Sequence, residues 1–386
     1  VNPAFLEDLA RGWPKARMLV GLPGGAASYA IARAVDGPTL VVVPSPAEAS
    51  QVAREVRFHA PHIPTVVLPP DDVRPFDGLS PHPETVLQRL AALDILGRSE
   101  PCVVVASARA MCHKVLGRDT LQALTETVRP DDQIDPGVWV EGLVQRGYRT
   151  THRVDEPGLV SARGAVVDLW PVGAQMPTRI ELFDDLVEDI RVLDPETQRS
   201  TGSVEALRIP PAREAVPTAE ALSRAGAQTA AVVDELGGGH TTRRRALEEL
   251  RGGLWFPGAE DYLPALHALV GPAQHAKMVV VVDPDEVERV ATHFAEVAQS
   301  RWELRSPDTR IPVRPTDRFL AQEDISTIIA TATCLASLAT PGVPDFRARD
   351  NVGLLVGKGE LAPVAGVLRG WMDAGWRLAL AAGTRA

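Results

Sequence analysis

Only three cysteines occur in the 386 residues, Cys102, Cys112 and Cys334. They are too few and too scattered for a disulfide framework or a cysteine-rich zinc site, and they read as reduced thiols of a cytoplasmic protein. An excess of positive charge is missing as well: 40 Lys and Arg stand against 50 Asp and Glu, for a net charge of -10. A domain built to hold a nucleic-acid backbone is usually basic, so autonomous nucleic-acid binding is disfavoured, although a local basic patch stays open. Long apolar runs are also absent. "MVVVV" at 278–282 is strand-sized, no basic segment followed by an apolar stretch opens the chain, and neither secretion nor a membrane partner is expected. The nine histidines show no metal-ligand spacing, and no Ser/His/Asp or Cys/His set stands out.

What the chain has in quantity is short β-branched runs. Apolar residues make up 45% and charged residues 23%, ordinary for a globular protein with a sizeable core and room for two to four domains. "RMLVGL", "TLVVVPS", "PTVVLPP" and "CVVVASA" read as buried strands, with helices predicted over 25–35, 46–59, 83–97 and 107–116. Valine runs alternating with helices predict a parallel α/β sheet. From about 130 the texture changes to alternating apolar positions with Gly and Pro turns, which predicts a small, mostly antiparallel domain ending near 212. Helices are expected again at 218–236, 243–251 and 284–299, and a strand at 276–283. After 345, "NVGLLVG", "ELAPVAGVLRGWMDAG" and "WRLALAAG" read as strand, helix and strand, a further α/β domain in which the chain is expected to stop part-way.

The stretch "MLVGLPGGAASYAIARAV" from Met18 has the outline of a phosphate-binding loop. The signature G-x-x-x-x-G-K-[ST], laid on Gly21, needs glycine, lysine and Ser/Thr at 26–28. The chain has Gly24 and Gly25, then Ala26, Ala27 and Ser28. Ala27 removes the cation that would meet the terminal phosphates, and Ala26 puts a Cβ where the backbone must approach the ligand. Lys15 is the only lysine in the first 113 residues. "VVVVDPDE" at 279–286 resembles the acidic strand end of an ATPase, where an Asp-Glu pair orients Mg²⁺ and water; Asp283 is there, and Pro284 stands in place of the glutamate. From the residues alone, both stretches read first as plain strand–turn–helix pieces. "AVVDELGGGH" at 231–240 sits in a helical pattern and reads as a helix end at Gly237.

"TRIELFDDLVEDIRVLD" is the most unusual run. In extended geometry Arg179, Glu181 and Phe183 share one strand face, while Ile180 and Leu182 point the other way. An aromatic among arginines and carboxylates is the composition of a protein–protein hot spot, and a solvated face of a small sheet accounts for the same residues.

Taken together, "GLPGGAAS", "LPPDDVRPFDGLSPHPETVLQRLAAL", "VVVASARAM", "GYRTTHRVDEPGLVSARGAVVDLWPVG" with "RIELFDDLVEDIRVLDPETQRS", and "RRRALEELRGGLWFPGAEDYLPAL" resemble the N-terminal part of the bacterial transcription-repair coupling factors (Mfd) over roughly 15–300. That part is similar in turn to the excision-repair helicase subunit UvrB. The resemblance implies an α/β fold: a degenerate P-loop, helicase-like parallel-sheet domain split into 1–125 and 213–340. A small, mostly-β (α+β) UvrA-binding domain is inserted at 126–212, and a further α/β domain begins at 341–386. It implies a non-catalytic module of transcription-coupled excision repair. Gly21, Gly24, Gly25, Ala26, Ala27, Ser28, Asp283 and Pro284 are then relics of a nucleotide site, and ATP and Mg²⁺ belong to the full-length parent only. The DNA-gripping β-hairpin of UvrB has no room between "DDVRPFDG" and "HPETVLQRL".

Matched motif to motif, the resemblance implies UvrA binding through Arg163, Arg179, Phe183 and Glu188, with Arg191 alongside. The arginines would meet carboxylates, Glu188 a basic group, and Phe183 would be the desolvated anchor. In the family this surface is held to be masked by a C-terminal domain, so a chain ending at 386 is expected to expose it. RNA polymerase and duplex DNA are implied as partners of the parent through regions beyond 386. The rival readings are an atypical nucleotide-dependent DNA-remodelling ATPase and a DNA-binding module whose affinity falls steeply with salt.

Overall fold

Runs such as "PTLVVV" and "CVVVAS" are apolar at every position, so they suit only a sheet covered on both faces. A computed structural model, describing residues 18–22, 25–236, 257–304, 313–336 and 362–373 with 241, 244, 248 and 375, places them there. The strands β1 (Met18–Val20), β2 (Pro38–Val43), β3 (Thr65–Leu68), β4 (Cys102–Ser107), β15 (Met278–Val282) and β16 (Thr333–Ala336) form one six-stranded sheet in the order β1-β16-β15-β2-β4-β3. Every pairing in it is parallel. Alternate residues feed two apolar layers. Leu40, Val42 and Val104 pack with Leu90 and Leu93 of helix α3 (Pro83–Leu96), while Val41, Val43 and Val103 pack with Ile31 of α1 (Gly25–Ala34) and Ala53 of α2 (Pro46–His59).

Local signals set the helix starts. Ser45 accepts a hydrogen bond from the Glu48 N–H at 3.2 Å, and Pro46 opens α2. The helix expected at 107–116 is shorter, Ala108–Cys112, because the chain turns at once into β5 (Val115–Leu116), which pairs with β14 (Leu269–Val270). Residues 69–82 contain no strand, in line with the missing hairpin. Gly24, the strands expected at 351–357 and 376–383, and all but isolated positions of the helix expected at 243–251 lie outside the described residues.

A second six-stranded sheet is built from β7 (Arg149–Thr150), β8 (Leu159–Arg163), β9 (Val166–Leu169), β10 (Thr178–Phe183), β11 (Leu186–Leu193) and β12 (Ser200–Ser203), in the order β12-β11-β10-β9-β8-β7. It is antiparallel apart from β7–β8, and helix α4 (Pro136–Gln145) precedes it. The chain enters this unit through β6 (Glu126–Val128) and leaves through β13 (Leu207–Ile209); the two pair antiparallel as a neck.

The second sheet is pressed against α3. Gly158 and Gly173 sit at φ +82 and +77, and a Cβ on either would come within 3.2 Å of Leu87 or Ala91 of that helix. Arg208 donates twice to Asp94 Oδ1, at 3.0 and 2.7 Å. Val160, Val167, Ile180 and Ile190 of the second sheet belong to the same apolar cluster as Leu90 and Val104 of the first. Beneath the junction lies a buried ionic cluster. Arg89 Nε sits 3.3 Å from Asp71 Oδ1 and 3.3 Å from Glu214 Oε1, and Arg318 Nη2 is 3.2 Å from Asp71 Oδ2.

Candidate protein-binding face

The alternation in β10 is realised as the sequence predicts. Thr178, Ile180 and Leu182 are buried, while Arg179 and Glu181 are half-buried on the opposite face and Phe183 is exposed. Register then builds a row across that face: Ser161 lies opposite Asp168, Asp168 opposite Arg179, and Arg179 opposite Arg191. Asp168 is 1% exposed, and it binds two arginines at once. Its Oδ1 accepts from Arg179 Nε at 2.7 Å, and its Oδ2 accepts from Arg179 Nη2 at 2.9 Å and from Arg163 Nη2 at 3.1 Å. The two-pronged Arg179 contact is the strong geometry for a guanidinium–carboxylate pair. That hydrogen bond, partly offset by burial, raises the Arg179 pKa above its ordinary value.

Arg179 and Arg191 face each other across strands, a placement that repels unless each charge is answered. Asp168 answers the first. Asp189 answers the second, accepting from Arg191 Nε at 2.6 Å. The Asp189 carboxyl is accordingly lowered, chiefly by that hydrogen bond.

A β-bulge sets Glu188. Glu181 pairs with Asp189 and Leu182 with Val187, which leaves Glu188 as the extra residue. Glu188 and Asp189 therefore both face outward between the buried Val187 and Ile190. Beyond the bulge Phe183 lies opposite Leu186, joined through Asp184 at φ 56. Phe183 is 70% exposed and Leu186 36%. Full burial of a side chain like Phe183 against a partner would contribute about 1.5–3 kcal/mol.

The sheet thus gathers Arg163, Arg179, Phe183, Glu188 and Arg191 onto β8, β10 and β11. Sequence reasoning missed Asp168. In "AVVDLWP" it alternates with Val167 and Leu169, which puts it on the face away from the core, but its partners come from register that one strand does not encode.

The glycine-rich stretch after β1 is arranged differently. The Gly21 N–H donates to Ala336 O at 3.1 Å, and α1 begins at Gly25 with Ala26 half-buried and Ala27 and Ser28 buried. Ser28 Oγ donates to Glu55 Oε2 of α2 at 2.6 Å, and Gln51 Nε2 holds the other oxygen at 2.9 Å. A Cβ on Gly25 would lie 3.9 Å from that same Oε2, so an internal carboxylate sits at the first turn of α1. β16 separates β1 from β15, at whose carboxyl end Asp283 adopts φ 50 and gives its N–H to Leu335 O at 2.8 Å. Pro284 is buried as the first residue of helix α5 (Pro284–Glu303). Among the described residues no group of three or more His, Cys, Asp or Glu could hold a metal ion, and no helix is long and apolar enough to cross a membrane.

Residues 127–214 match the family described as the UvrB interaction domain. Over most of its length the chain is similar to the transcription-repair-coupling factor of Myxococcus xanthus, 29% identical over 373 residues, covering 89% of this chain and 29% of that protein. The factor of Escherichia coli (strain K12) is 27% identical over 201 residues, with 51% and 17% covered. That of Bacillus subtilis (strain 168) is 27% identical over 214 residues, with 55% and 18% covered. The chain spans less than a third of the length of these relatives. The unit that carries the Asp168 row and Phe183 is the segment that matches the UvrB interaction domain, and over most of its length the chain is similar to the transcription-repair-coupling factors.

Proposed function

We propose that this chain is a non-catalytic docking module of transcription-coupled excision repair, acting in the cytoplasm, and that its second sheet recruits UvrA. The observation that carries the reading is Phe183, a large aromatic left 70% exposed on the same sheet face as two arginines held in place by a buried carboxylate. An aromatic anchor ringed by oriented charges is the usual make-up of a binding hot spot. The name of the matched family, the UvrB interaction domain, supports the same assignment: a surface shared with UvrB would meet UvrA.

In this reading the first sheet is scaffold. With Ala27 in place of the lysine and Glu55 at the helix start, it binds neither ATP nor Mg²⁺. RNA polymerase binding and DNA translocation fall to the remainder of a longer parent, beyond the share of the relatives that this chain covers. The deciding experiment is a binding titration of the 386-residue chain against purified UvrA. Saturable binding that the Phe183→Ala/Arg179→Ala double variant loses is expected. Absence of binding, or binding indifferent to both substitutions, would remove the assignment.

A further inference from the structure

The outer face of the second sheet holds a buried charge. The core side of the same strands is filled by Val160, Val167, Leu169, Ile180 and Ile190, each fully buried. Asp168 faces the other way, on the side that carries Arg163, Arg179 and Arg191, and is nonetheless 1% exposed. Burying a carboxylate is costly unless it is paired and hydrogen-bonded. Here the pairing is supplied entirely by the residues proposed to meet the partner.

Resting on the docking reading above, we infer that Asp168 is the positioning residue of the face, holding Arg179 and Arg163 in the orientation that the partner reads. A free arginine on a sheet surface samples many rotamers and must be ordered on binding, at a cost that recurs for each immobilised side chain. The fork from Asp168 to Nε and Nη2 orders Arg179 before the partner arrives, and it leaves Nη1 outside the pair. Arg163, with a side chain 57% exposed, is tethered through one nitrogen only and keeps more freedom. Asp168 also moderates the charge of the face. Together with Asp189 it keeps the opposed Arg179 and Arg191 compatible in one row, so both cations can be offered within a single contact area.

If Asp168 served only the stability of the sheet, replacing it would change unfolding and leave the affinity of the folded protein alone. If it acts through Arg179, its loss and the loss of Arg179 remove the same thing. The test is a double-mutant cycle on the 386-residue chain, with UvrA affinity and dissociation rate measured beside thermal unfolding for Asp168→Asn, Arg179→Ala and the double variant. The expected result is a roughly tenfold weaker, faster-dissociating complex for Asp168→Asn. The double variant should then lie within about twofold of Arg179→Ala. Unchanged affinity for Asp168→Asn, or losses that multiply, would overturn the inference. Should Asp168→Asn fail to fold, Arg179→Lys decides: it keeps the charge and loses the fork, so a loss close to that of Arg179→Ala supports the inference and full affinity overturns it. If the unmodified chain does not bind UvrA, the docking reading itself fails, which is a different outcome from any of these.

Discussion

Ser28 and Glu55, 27 positions apart on neighbouring helices, are joined by a 2.6 Å hydrogen bond at the first turn of α1, where the phosphate-loop signature would carry Ser or Thr beside its lysine. The hydroxyl that would ligand the metal is committed to a carboxylate of the same chain. That carboxylate also brings negative charge to the first turn of α1, where positive potential would otherwise welcome a phosphate.

A fluorescent ATP analogue should therefore show no saturable binding at micromolar concentrations. Restoring the signature with Ala26→Gly and Ala27→Lys should not rescue it while Glu55 remains. Glu55→Ala should lower stability by about 1–3 kcal/mol in urea unfolding, because it strands the buried Ser28 hydroxyl. Micromolar nucleotide binding by the unmodified chain would contradict this account.

Phe183→Ala and Arg179→Ala should separate in stability while agreeing in binding. Each should weaken the UvrA complex by about 2 kcal/mol or more. Phe183 is mostly in solvent, so its truncation should leave the melting temperature nearly unchanged. Losing Arg179 leaves Asp168 buried with Arg163 as its remaining partner, which should cost about 1–3 kcal/mol of folding stability. Calorimetry on both variants checks the contrast.

The buried carboxyl of Glu260 makes stability depend on pH. Burial raises its pKa, partly offset by the 2.6 Å hydrogen bond from Ser80, and leaves it at about 7. An acid with a raised folded pKa binds its proton more tightly in the folded state, so its contribution falls as pH rises from about 4.5 to about 7. His113, whose pKa is lowered mainly by burial, acts in the opposite sense. The comparison to make is therefore with Glu260→Gln. That variant should gain on the unmodified chain by about 2–3 kcal/mol between pH 5 and pH 8. Parallel denaturation curves at the two pH values would refute it.

Gly173→Val should destabilise the chain by about 2 kcal/mol or more. It forces a branched residue to φ +77 and drives a Cβ to within 3.2 Å of Ala91 on α3. Gly142→Ala on the open side of α4 is the control and should be harmless or slightly stabilising, since nothing lies within 4 Å of the added methyl.

Duplex DNA at low salt should give no gel shift with the 386-residue chain. The net charge is -10, and the stretch 69–82 holds no strand that could form a gripping hairpin. A shift that disappears steeply with salt would revive the DNA-binding reading.

Much of this architecture is legible in the sequence because it is written locally. Valine runs announce the parallel strands, and the alternation from Thr178 to Phe183 is enough to set which side chains of β10 face outward. The bulge that turns Glu188 outward is not, since it depends on how β11 pairs with β10. Asp168 and Glu55 are hidden for the same reason. Each is an ordinary acidic residue in its own element, and its role comes from a strand or helix that folding brings alongside. The short Ala108–Cys112 helix adds a fourth case, in which pairing with residues 269–270 overrides a local helical pattern.

The paired neck of β6 and β13, with glycines seating the second sheet on α3, has a mechanical consequence. The arm and the body it grows from share one apolar cluster, like a bracket cast in one piece. A partner of the kind proposed, held on Phe183, would take its bearing from whatever grips the body.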